Sequence, residues 1–132
     1  MSKLRRSVVI SSALAALVVP AAAQAAGPSW HTLDNVNGAK VQACRVKVSN
    51  GWKIKGRVNA RKSSERATGS LIVTHNNQET KKKWTSTVSA HHLGRAGSIV
   101  VPAKPGYSVT YTLGLSQMGD GGTIATTKIG RC

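Results

Sequence analysis

A chain of 132 residues with 19 lysines and arginines against four acids, a net charge of +15 and 4% aromatics is large enough for one hydrophobic core and too small for two. Its positive surplus exceeds anything internal ion pairs can neutralise. The acids, Asp34, Glu65, Glu79 and Asp120, show no spacing that brings two together for paired-carboxylate hydrolysis.

Residues 1–25 read as a secretory signal peptide, with a basic front of Lys3, Arg5 and Arg6, an apolar stretch from Val8 to Val19, and Ala23 and Ala25 at the positions a signal peptidase reads. About a dozen apolar residues fall short of the roughly 20 that span a bilayer, so cleavage after Ala25 and release to the extracellular space are expected, with no transmembrane span. Losing the three cations lowers the net charge from +15 to +12. Export also decides the reading of the thiols. An oxidising compartment and an even cysteine count favour one intramolecular disulfide, Cys44 to Cys132, over catalysis or metal binding.

Residues 26–39, with Gly27, Pro28, Asn35, Asn37 and Gly38, read as a lead-in holding at most one short edge strand, and residues 40–132 as the single folded domain. No segment of that domain sustains a helical period, whereas period-two alternation rich in valine, isoleucine and threonine recurs. Val41 to Val48 places Cys44, Val46 and Val48 on one face, with Arg45 and Lys47 on the other, so Cys44 is expected in the core. Asn50-Gly51 signals a hairpin. Beyond it Trp52, Ile54, Val58 and Ala60 alternate with Lys53, Lys55, Arg57 and Arg61.

A polar turn at residues 62–66 leads to a strand at residues 67–75, with Leu71 and Val73 inward, and Asn76-Asn77 turns the chain. The next strand, with Trp84 and Val88 inward, carries the Lys81-Lys82-Lys83 run and belongs at an exposed edge, where lysines discourage edge-to-edge pairing. After a loop at residues 91–98 come a short strand at residues 99–102 and a Pro105-Gly106 turn of type II character. Tyr107, Val109, Tyr111, Leu113 and Leu115 then form one apolar face, residues 119–122 a hairpin tip, and residues 123–132 the last strand. About seven short strands predict a small antiparallel β-sandwich with one disulfide, with a small β-barrel as the alternative. In that sandwich Cys132 ties the final strand to the first.

The alanine-rich export signal, the Val41-Gln42-Ala43-Cys44-Arg45-Val46 stretch, the tryptophan hairpin and Cys132 resemble small secreted proteins of unknown function from high-G+C Gram-positive bacteria. The strand pattern is similar to that of immunoglobulin-like domains. That resemblance implies a core role for Trp52 and transfers no functional residue.

Chemistry-bearing motifs are sparse: the chain has no Gly-x-Ser-x-Gly elbow, phosphate-binding glycine loop or nucleotide fingerprint. His75, His91 and His92 would bind zinc or copper only if their loops converged, and adjacent histidines in extended chain point apart. No metal, cofactor or catalytic residue is assigned. The stronger signal is charge: Lys53, Lys55, Arg57 and Arg61 repeat along one strand with about 6 to 7 Å between i and i+2 positions. Arg45 and Lys47 are expected to extend that row across the hairpin, and no acid occurs from Val41 to Lys62. The reading is a monomeric, non-enzymatic binding protein whose cationic sheet face meets an anionic extracellular polymer such as cell wall, nucleic acid or another anionic surface, without sequence-specific nucleic-acid reading. The alternatives are a protein-binding module or inhibitor acting through the loops around Arg95 and Met118, and a small basic hydrolase using His75 or His92 with Glu79 and a lysine.

Overall fold

The computed structural model describes residues 27–132; the signal peptide expected at residues 1–25 lies outside the described residues. Eight strands, β1 (His31–Val36), β2 (Ala39–Val48), β3 (Gly51–Asn59), β4 (Ala67–His75), β5 (Gln78–Val88), β6 (Gly97–Pro102), β7 (Tyr107–Gly114) and β8 (Gly119–Ala125), form two antiparallel sheets. Sheet A has the order β1-β2-β3-β6 and sheet B the order β5-β4-β7-β8. They stack as a sandwich, β2 over β7 and β3 over β4 and β5. Among the described residues no helix is long and apolar enough to cross a membrane.

The core follows from alternation. Val41 and Ala43 of β2, Ile54 and Val58 of β3, and Ile99 and Val101 of β6 meet Leu71, Val73, Val109 and Leu113 of sheet B. Trp84 of edge strand β5 lies across the space left by two glycines: a Cβ on Gly56 or Gly97 would run into its indole. These glycines are neighbours in the β3–β6 ladder, so an absent side chain on each strand makes one recess for a large ring. The Lys81-Lys82-Lys83 run lies on that edge strand, beside a bulge at which the Thr80 hydroxyl donates to Val73 O over 2.8 Å.

Several boundaries differ from the sequence reading. The lead-in contains a full strand, β1, because Asn37 (φ 47°) and Gly38 (φ 87°) form a two-residue turn with both central φ positive, the geometry that Asn-Gly favours. The same signal at Asn50-Gly51 resolves differently: Val48 pairs with Gly51, so Ser49-Asn50 is the loop. The glycines at 119, 121 and 122 are within β8, paired with β7, and the tip lies earlier, where Leu115 N–H donates to Met118 O. The last strand therefore stops at Ala125. A 3-10 turn at Thr126–Lys128 follows, Ile129 plugs the core, and the remaining residues run back to β2.

That return is pinned covalently and by the backbone. Cys44 and Cys132 form the disulfide, Arg45 N–H donates to Gly130 O at 2.9 Å, and Cys132 N–H donates to Arg45 O at 3.1 Å. β1 ends its pairing with β2 at His31 opposite Ala43, and the tail takes the edge position beyond it, parallel to β2 at Arg45 and Arg131.

Candidate anion-binding face

A two-residue loop joining β2 to β3 makes paired residue numbers sum to an odd value, so odd positions of β2 share a face with even positions of β3. Arg45 pairs with Ile54 and Lys47 with Trp52, on the inward phase, while Cys44 pairs with Lys55 and Val46 with Lys53, on the outward phase. Two expectations are corrected. Cys44 is buried, but beneath the tail on the outer face of sheet A and outside the hydrophobic core cluster. Arg45 and Lys47 do not extend the row of Lys53, Lys55 and Arg57. Arg61, the sixth expected member, lies past the end of β3 in the exposed turn.

The outward row is organised by a residue that alternation did not single out. Trp30 precedes β1 and lies over Arg57, with the guanidinium carbon 4.5 Å from the ring centroid. Below it, Arg57 Nε–H donates to Gln42 Oε1 at 2.8 Å, and Gln42 Nε2 donates to Thr32 Oγ1 at 3.2 Å. Arg57 is thus held from above by an aromatic face and from the side by a chain of polar groups crossing three strands. Burial, and then the nearby charge of Arg61, lowers its pKa, though a guanidinium remains charged at any physiological pH. Pro28, Trp30, Lys53, Lys55, Gly97 and Ser98 line a groove of about 250 Å³ beside it. Lys40 adds a further cation on the outward phase of β2, and none of the four acids stands on this face.

Arg45 and Lys47 instead close the end of the sandwich. The Arg45 guanidinium lies 4.4 Å and the Lys47 ammonium 5.0 Å from the centroid of the Trp52 ring, within the range of a cation–π contact. Trp52 is consequently half-buried under cations, and Trp84 is the tryptophan that packs over the middle of sheet A.

One pairing runs against the sequence reading of the titratable groups. Asp34 and Asp120, 86 positions apart, come together where the β1 edge faces β8. Burial raises the Asp34 pKa, the Asn35 N–H bond opposes this, and the charge of Asp120 and a hydrogen bond to it raise it further. The histidines stay apart: His75 stacks on Tyr107 with 4.2 Å between centroids, and His92 Nδ1 approaches Ala90 O at 2.8 Å in another loop. Among the described residues no group of three or more histidine, cysteine or acidic side chains is arranged to hold a metal.

Protein families, curated proteins and solved structures yield no match to this chain. Function is therefore read from the site alone. Sequence carried a usable signal for part of what was missed: the two-residue hairpin already fixes the parity that separates Arg45 and Lys47 from Lys53 and Lys55. A bond to Cys132 obliges Arg131 to lie beside β2. Trp30 had no such marker, since it stands in no alternating stretch.

Proposed function

We propose that the chain is exported and acts without catalysis by laying the outer face of sheet A on an anionic extracellular polymer. The observation that carries this reading is Trp30 seated on Arg57 beside a groove lined by Lys53 and Lys55, on a face without a carboxylate. The row repeats every second residue, so successive cations stand about 6 to 7 Å apart and suit a ligand with regularly spaced negative charges. Such binding gains from counterion release and weakens steeply as salt rises. Sites of this kind also ask little of the ligand beyond charge, in keeping with a flat, shallow face. The disulfide fits an oxidising compartment.

The test is retention of the mature chain on immobilised heparin and on isolated cell wall across a salt gradient. The double variant Lys53→Gln, Lys55→Gln should elute at clearly lower salt with an unchanged thermal transition. Elution at the wild-type position would overturn the assignment of the face.

A second reading, a protein-binding module, is supported by the loop at residues 89–96. Ala60 N–H donates to His92 O, His91 N–H to Ala60 O and Gly94 N–H to Val58 O, all within 2.9 Å, so this loop is held as an extension of β3 and presents exposed Arg95 from a rigid base. Retention of a protein partner at high ionic strength would favour it over the cationic face.

A further inference from the structure

The geometry points to a second anion site, at the Trp52 end of the sandwich, that takes a phosphomonoester group. It does not depend on the outer face of sheet A binding a polymer, because no lysine or arginine of that face takes part.

The cavity there measures about 570 Å³ and is lined by Arg45, Val46, Lys47, Trp52, Arg131 and Cys132. Three of its six lining residues are cations, none is an aspartate or glutamate, and Cys132, where the chain ends, brings one α-carboxylate, so the lining carries a net +2. They arrive from two stretches far apart in sequence, and the tail that brings Arg131 is pinned by the disulfide and by backbone bonds on both sides of Arg45. The positive groups are thus assembled by the fold, at the cost of mutual repulsion, and held there.

Arg45 supplies the directional element. Its guanidinium carbon lies over the Trp52 ring, 4.4 Å from the centroid, which ties the fork to the wall of the cavity. Arg45 Nε is shut off from solvent and has no hydrogen-bond partner. Buried charged donors are otherwise almost always paired, and a ligand oxygen completes this one only with a shift of the side chain that opens Nε to the cavity. Planar forks of this type match the oxygens of phosphate.

The charge count favours a dianion. A phosphomonoester carries about −1.5 to −2 at neutral pH, with a second pKa near 6, whereas a phosphodiester or a carboxylate carries one charge. Lys47 and Arg45 already cover the face of Trp52 from which they were measured. A sugar or base stacked on that face would have to displace them, so recognition centres on the phosphate, and the volume left over accommodates the alcohol to which it is esterified.

The test follows the three tryptophan indole N–H signals of the isotopically labelled chain by NMR, assigned by Trp→Phe variants, during titration with glycerol 1-phosphate at constant ionic strength. A saturable shift of the Trp52 signal is expected, and weaker binding at pH 5 than at pH 7.5 as the ester takes up its second proton. Arg131→Gln, a change in an exposed side chain, should weaken binding at least tenfold, as should Arg45→Gln. Lys83→Gln, which removes the same charge from the far edge of sheet B, should leave it unaltered. The assignment is overturned if the Trp52 signal does not saturate, if the response is confined to Trp30, if Arg131→Gln binds like the wild type, or if dimethyl phosphate or acetate binds as tightly as the monoester. A response at Trp52 without polymer retention would leave this site standing and remove the outer face; retention without that response would do the reverse.

Discussion

The two outward faces of the sandwich are made by strands of similar length and pleat, yet they hold opposite chemistry. On sheet B the outward residues are largely threonine and serine, and they bind one another: Ser70 with Thr112, Thr68 with Thr87 at 2.8 Å, Thr74 with Thr110 at 2.7 Å, and Thr110 with Thr123 at 3.1 Å. Its exposed charges include Glu79, Lys81, Lys82 and Lys83, all on the edge strand β5. On sheet A the outward residues include Lys40, Lys53, Lys55 and Arg57 beside Gln42, Val46 and Val100, with Trp30 laid over Arg57, and the polar contacts serve to hold Arg57. A hydroxyl pair satisfies its own donors and acceptors across the ladder, so sheet B is finished as it stands. A row of like charges repels along its length, and no acid on that face offsets it. The fold thus separates a face whose polar groups are satisfied within the ladder from the face proposed to bind.

The largest effect expected from breaking that contrast is on the strap across sheet A. Cys132→Ala frees the tail from Cys44 and should cost about 2–5 kcal/mol of unfolding free energy, read as a lower denaturation midpoint in urea; a midpoint within error of the wild type would show that the backbone bonds to Arg45 suffice. An intermediate effect is expected on sheet B. Thr110→Val removes the hydroxyl shared by Thr74 and Thr123 and should cost about 1 kcal/mol while polymer retention on heparin stays as in the wild type. A change in retention would mean that the two faces are not separable.

The smallest effect concerns the edge where the sheets meet through like charges. The Asp34 pKa is raised above its ordinary 3.8, so the folded chain holds this proton more tightly than the unfolded chain does. Its contribution favours the folded state below the unfolded value and is lost as pH rises through the raised folded value. Asp120→Asn removes the neighbouring charge and should flatten that part of the stability profile and raise the midpoint at neutral pH. Urea melts at a series of pH values measure it, and a profile parallel to that of the wild type would exclude the coupling.

Much of the architecture was legible because period-two alternation and turn residues are local properties. The strands carrying Ile54, Leu71, Trp84 and Val109 lie where apolar alternation puts them, and Asn76 (φ 49°) and Asn77 (φ 64°) make the turn expected of them. The disulfide was expected from a count of two cysteines in a chain read as exported, and it is present. The site was less legible. A strand that is apolar on one side and basic on the other reads clearly, as β3 does, but β2 has small or apolar residues on both phases. Cys44, Val46 and Val48 there mimic a core face that belongs to Val41 and Ala43. The register of the hairpin resolves this, and one phase decides whether Arg45 and Lys47 join Lys53 or oppose it.

The amino-acid sequence by itself determined an all-β domain, its disulfide, most of its turns and a surface with far more positive than negative charge, because each of these follows from neighbouring residues or from composition. Only the tertiary structure decided which cations stand together. Trp30 reaches Arg57, Arg131 reaches Arg45, and Asp34 reaches Asp120 across 27, 86 and 86 positions of chain. Contacts of that range arise from strand register and sheet stacking, which the energy of the whole core selects and no local pattern encodes.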